Sequence, residues 1–340
     1  MKPTSSKSEK GSVIGQLNPP ARRPASQKQG WAKYRSHGWY LPDSNVYPLE
    51  HELFEGDLRP VIQEHVLPGH LPPSPILNDT DSVIALGSCF ARELRHFLSN
   101  AGVDSAHFWI PSGLNNTFAI LDFLSWCVTG QETGRGFRYE RSVSGAITEW
   151  TPDAERQTYA AAFADAGAFV FTLGLAEVWQ DRETGGVFWR GVPDDMFDAD
   201  RHVFRLTTVE ENTANLKQIV SLVRQLNATA PIVLTLSPVP LLATFREISC
   251  LTADCVSKSV LRVALDLVMA ERFANVYYWP SFEIVKWVGA HLPWAAYGEG
   301  GKARDIDSRV VAKIIDAFIE AFYLPAAVEK LRARRHDASG

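Results

Sequence analysis

The sequence predicts an α/β fold: a mostly parallel sheet with helices on both faces, carried behind an N-terminal extension. Three observations predict it. The apolar runs Val83–Leu86, Ala168–Leu173, Ile232–Leu236 and Val276–Trp279 have the continuous hydrophobicity of strands buried on both sides. Amphipathic segments over 88–100, 115–129, 208–227, 254–273 and 307–323 alternate with them. Strand–helix alternation of this kind builds a parallel sheet covered by helices. The first 80 residues, by contrast, carry neither a helical nor a strand period.

Taken in order, residues 1–30 read as a flexible basic tail rich in Ser, Pro, Lys and Arg. Residues 31–80 read as an extended aromatic and Pro-rich arm that packs onto a domain through Trp31, Tyr34, Trp39, Tyr40 and Tyr47. The α/β domain is expected over 81–325. Within it, Thr207 or Thr208 followed by Glu210 and Glu211 gives a capped helix start. Residues 326–340 are expected to be a basic C-terminal tail, whose Lys330, Arg332, Arg334 and Arg335 suit a solvated helix end.

Composition narrows the function classes. Of 340 residues, 46% are hydrophobic and 21% charged, which excludes a chain disordered throughout. The net charge is −5, but residues 1–35 hold eight Lys/Arg against one Glu, leaving −12 on the remainder. An acidic folded part disfavours nucleic-acid binding. There is no apolar run of transmembrane length and no apolar core in the N-terminal 30 residues that would make a secretory signal. Cys89, Cys127, Cys250 and Cys255 lack disulfide-scaffold density and zinc-site spacing. They read as free thiols, and the expected location is cytoplasmic. No metal site, cofactor motif or phosphate loop is recognised, so no cofactor is expected. The sequence leaves the oligomeric state open.

Ligands of open parallel sheets bind beyond the carboxyl ends of the strands. The first strand ends in Gly87-Ser88-Cys89-Phe90-Ala91, the second in Gly174-Leu175-Ala176-Glu177, the third in Ser237-Pro238, the fourth in Pro280-Ser281. Ser88 is the best placed. Gly87 permits a sharp turn, and the start of a helix stabilises negative charge. That suits a nucleophile whose attack creates an oxyanion, with its own N–H as one donor. The plainer alternative is an N-cap serine. Ser237 and Ser281 read first as turn formers, with pocket lining as the alternative and Ser237 as the substrate-binding candidate, and Glu177 as an acid, a substrate ligand or a structural hydrogen-bonding group.

Gly87-Ser88-Cys89-Phe90-Ala91 resembles the signature of the GSCFA domain family. Ser112-Gly113-Leu114-Asn115-Asn116-Thr117-Phe118-Ala119, Thr172-Leu173-Gly174-Leu175-Ala176-Glu177-Val178-Trp179 and Arg201-His202-Val203-Phe204-Arg205 are similar to its later segments. So are Thr235–Arg246 and Tyr278–Val285, and the resemblance spans roughly residues 83–320. It implies a three-layer α/β/α, flavodoxin-like fold grouped with the SGNH, or GDSL-like, hydrolases, which cleave or transfer O-acyl groups. It also implies Ser88 as nucleophile, and Gly113 with Asn115 or Asn116 as an oxyanion block. Gly174 would open the block that usually supplies an Asn side chain. Ala176 stands in that Asn position, so Asn115 or Asn116 must substitute or the hole is weaker. Losing one such donor costs on the order of 100–1000-fold in rate.

The resemblance also implies an Asp-x-Arg-His stretch before the last helix. Here Lys302, Arg304 and Asp305 occupy the Asp, Arg and His positions, and no histidine lies between His291 and His336. Serine needs a base. Asp305 is the candidate by position and His291 the candidate by chemistry, from a displaced loop. His202 and His107 have no derivable route to Ser88. The expected function is an SGNH-like serine esterase or O-acyltransferase with an atypical centre. Its substrate would be a small-molecule or carbohydrate acyl ester. The alternatives are a catalytically degenerate binding module, or a pocket redirected to chemistry by the carboxylates Asp305 and Glu177.

Overall fold

The structure is a computed structural model that describes residues 47–48, 51–103, 114–130, 138–141, 144–150 and 153–338. One compact unit runs from Pro48 to the C-terminus. Its strands and longer helices follow in the order β1 (Val83–Gly87), α1 (Cys89–Asn100), α2 (Thr117–Thr129), β2 (Tyr139–Arg141), β3 (Ile147–Glu149) and α3 (Arg156–Ala164). Then come β4 (Ala168–Leu173), β5 (Glu177–Asp181), β6 (His202–Leu206), α4 (Val209–Leu226), β7 (Ile232–Leu236) and α5 (Cys250–Ala270). The last are β8 (Val276–Trp279), α6 (Ser308–Phe322) and α7 (Pro325–Ala338).

The central sheet has the order β1-β4-β7-β8 and is parallel throughout, the mostly parallel α/β fold expected. Its four strands are the four predicted apolar runs, and their alternate residues enter two separate cores. Val83, Ala85, Ala168, Val170, Val233 and Trp279 face one core, shared with α1, α6 and α7. Ile84, Leu86, Phe169, Phe171, Ile232 and Leu234 face the other, shared with α2, α3, α4 and α5. Layers of helix, sheet and helix follow from that two-sided burial.

The extension is described only in its second half, and the C-terminal segment adds a helix. The tail 1–30 and the arm residues Trp31, Tyr34, Trp39 and Tyr40 lie outside the described residues, and Tyr47 is exposed. Short helical turns over His51–Phe54 and Arg59–Val66 bury Phe54, Leu58, Val61 and Ile62 in the α1/α6 core. The second half of the predicted arm is therefore part of the domain. Residues 326–340, read as a basic tail, mostly form α7, which buries Ala327, Val328 and Leu331. Among the described residues no helix is long and apolar enough to cross a membrane.

Candidate active site

Ser88 sits where β1 becomes α1, in extended backbone at the N-cap position. Gly87 makes the turn possible. Its φ is +119°, and a β-carbon there would lie 2.1 Å from the Thr172 carbonyl oxygen of β4. The Ser88 side chain makes no capping hydrogen bond, and its Oγ is buried without any hydrogen-bond partner. The plain N-cap reading therefore does not describe this hydroxyl.

Its own N–H, expected as an oxyanion donor, is instead committed to the Thr172 carbonyl at 3.1 Å. The N–H groups without intrahelical acceptors are those opening α1, at Cys89 and Phe90.

Gly174 and Asn115 stand beside the serine. A β-carbon on Gly174 would lie 3.5 Å from the Asn115 carbonyl oxygen and 3.7 Å from the Ser88 Cβ. The Gly174 N–H donates to that Asn115 oxygen at 2.7 Å and the Leu175 N–H at 3.1 Å. The Gly174 N–H is thus spent on positioning Asn115. The two asparagines separate clearly. Asn116 caps α2 by accepting from the Ala119 N–H at 2.9 Å, and donates from Nδ2 to the Trp189 carbonyl at 3.1 Å. The Asn115 Oδ1 is buried with no partner. Gly113 and His107 lie outside the described residues.

Two further orphan oxygens belong to β4 and β5. Thr172, paired in register with Gly87, has an unpartnered buried Oγ1. Glu177 accepts from Arg246 Nη1 at 3.2 Å through Oε1, while its Oε2 has no partner. Buried polar atoms are normally satisfied, so the orphan oxygens of Ser88 and Asn115, both beside Gly174, mark a place prepared for something polar. The loop between β4 and β5 is held rigidly. Lys258 of α5, buried, donates from Nζ to the Gly174 carbonyl at 2.7 Å. Ser257 accepts from the Ala176 N–H at 2.9 Å, so Ala176 occupies a packed, structural position.

Other predicted residues are placed differently. Ser237 is buried at the end of β7. Its N–H donates to the Leu173 carbonyl at 2.7 Å and its Oγ accepts from Val239 at 3.3 Å, which is turn formation. Ser281 is likewise bonded, to Leu236 and Thr235. Asp305 lies in the loop before α6, which is anchored to the β7 loop. Arg304 donates to the Pro240 carbonyl at 2.6 Å and Tyr297 to the Pro238 carbonyl at 3.1 Å. Asp305 shares a groove with Phe90, Pro238 and Val239 but is not bonded to the Ser88 hydroxyl. His291 is not brought to the serine: its ring stacks on Phe54 at 4.0 Å. His202 accepts from the Asp198 N–H at 3.1 Å, on the β5–β6 ribbon. Among the described residues no group of three or more His, Cys, Asp or Glu could hold a metal.

Sequence reasoning did not find Thr172, Lys258 or Arg246. Thr172 belongs to a strand run and to a segment of family resemblance, with no role of its own assigned from sequence. Lys258 and Arg246 reach the site from 84 and 69 residues away along the chain. Compared with known proteins, residues 82–318 match the model of the GSCFA family. Among curated proteins, none matches the chain.

Proposed function

Because the chain belongs to the GSCFA family, and because its Ser88 hydroxyl is uncommitted at a helix start, we propose that it is a serine esterase or O-acyltransferase of SGNH type. The substrate is an acyl ester of a carbohydrate or small metabolite. The observation that carries this reading is the buried Ser88 Oγ, which neither caps its helix nor bonds a neighbour. Ser88 Oγ attacks the acyl carbonyl carbon and its proton passes to a base. The N–H groups opening α1 hold the oxyanion, joined by the donor Nδ2–H end of the Asn115 amide, not its Oδ1. Collapse expels the alcohol, which takes up a proton, and leaves an acyl-serine. Water or a second alcohol then attacks that acyl group and restores the hydroxyl. Asp305 is the base in this scheme, since the loop carrying it is tied to the β7 loop beside the sheet's carboxyl end.

A second reading has its own observation. Among the described residues no histidine nitrogen bonds the Ser88 hydroxyl, which suits a binding module that has lost its base. Serine-directed fluorophosphonate labelling and small-ester hydrolysis separate the two. In the native chain both are expected, and both are expected to vanish in Ser88→Ala. An inert native chain that gains turnover in Asp305→His is the result for the binding module. Native turnover that survives Ser88→Ala removes the serine assignment.

A further inference from the structure

A groove of about 700 Å³ begins at Phe90, two residues past Ser88, and follows α1 toward Asn100. Phe90, Glu93, Phe97 and Asn100 line it at helical intervals, so they share one face of α1. Val311 and Ile315 of α6 form the opposite wall, and Pro238 with Asp305 closes the end at the sheet's carboxyl edge. The rise from Phe90 to Asn100 gives it a length of about 15 Å, roughly the reach of a dodecyl chain.

Its floor is apolar and its rim carries more acidic than basic groups. Glu93, Glu299 and Asp305 stand against the single guanidinium of Arg92, with His96 alongside. Glu93 is paired with Arg92 at 3.1 Å, and Glu299 accepts from the Ser308 N–H at 2.9 Å. Asp305 differs: among the described residues its carboxylate takes part in no hydrogen bond or ion pair, while its backbone is fixed by Gly298 and Lys302. A fixed acceptor at one end of an apolar trough suits a ligand with a donor head and an aliphatic body. A carboxylate or phosphate head meets the like charges of Asp305 and Glu299 there, since Glu93 is offset by Arg92.

We propose that this groove is the subsite for an aliphatic alcohol, the alcohol half of the ester. The body lies between α1 and α6, and the hydroxyl donates to Asp305. This rests on the esterase reading for its place in the reaction, though not for the binding itself.

Calorimetric titration of the full chain with octanol, octylammonium and octanoate tests it, since the three share a body and differ in head. Octanol and octylammonium are expected to bind, and octanoate at least about tenfold more weakly. Ala312→Phe, on the partly exposed groove side of α6, should weaken both ligands about tenfold. Asp305→Asn should weaken octylammonium about fivefold. Ser88→Ala should leave all three unchanged. Thermal melts of each variant check that the fold is kept. Octanoate binding as well as octanol, or full affinity in folded Ala312→Phe, overturns the proposal. Octanol binding without turnover removes the esterase reading and keeps the groove. Turnover without octanol binding does the reverse.

Discussion

Asn116 spends both ends of its amide, one on the Ala119 N–H and one on the Trp189 carbonyl, while its neighbour Asn115 keeps a buried oxygen unpartnered beside Ser88. On the proposed esterase reading, the pair separates stability from function. Asn116→Ala should cost about 1–2 kcal/mol by removing a helix cap, read by urea denaturation. Asn115→Ala should leave that midpoint nearly unchanged and lower ester turnover or Ser88 labelling on the order of 100-fold. Equal effects of the two substitutions on labelling at matched stability would remove Asn115 from the oxyanion site. The same distinction applies to Glu177, whose one oxygen is held by Arg246 while the other waits.

At the scale of elements, α4 carries a complete capping box. Thr208 accepts from the Glu211 N–H at 3.1 Å, and Glu211 accepts from the Thr208 N–H at 2.7 Å. Glu211 also takes Arg205 of β6 in a two-pronged pair, so the cap fastens the β5–β6 ribbon to the helix. Thr208→Ala should lower stability by about 1 kcal/mol, measured as a shift in denaturation midpoint. This cap was legible in the sequence, because Thr, Glu and spacing are all local. So were the four central strands, since burial on both faces leaves an uninterrupted apolar run, and so was the Gly87–Ser88 turn between one run and a helix. The β5–β6 ribbon was not legible. Glu177–Asp181 and His202–Leu206 are short and mixed in polarity, and each is a strand because the other pairs with it. Helix α7 was legible only as a solvated helix end, for a related reason. Its few apolar residues, Ala327, Val328 and Leu331, find their core only in the folded chain. In the candidate site, local sequence offered Ser88 as a helix cap or a nucleophile, whereas the fates of its N–H and of Asn115 depend on Thr172 and Gly174, which only tertiary structure brings near.

Across the whole molecule, the two chain regions flanking the α/β core are tied together. Ile76 and Leu77 donate to the Phe322 carbonyl, and Leu324 donates back to Leu77. Asp79, nearly buried, receives Lys330 at 3.1 Å and Arg334 at 2.6 Å from α7. The bonds from Lys330 and then Arg334 hold its carboxyl below the ordinary value. A depressed folded pKa adds stability that is complete above the unfolded value of about 4 and is lost as pH falls through the folded one. The melting temperatures of the native chain and Asp79→Asn should therefore differ at neutral pH and converge in acid. Curves that stay parallel down to acid pH would show that this carboxylate does not anchor α7.

Asp254, Ser257 and Lys258 occupy one face of α5, at the spacing of a single helical turn. Asp254 accepts from the Leu241 N–H at 2.9 Å in the loop after β7, while Ser257 and Lys258 grip residues 174–176 after β4. One rigid rod thus serves as a common axle for two loops, one leading directly into it and one far upstream in the chain. A quarter-turn of slack in that rod is not available to either loop alone. A chain that retunes what it accepts is freer to do so in the α1–α6 wall, which α5 does not hold.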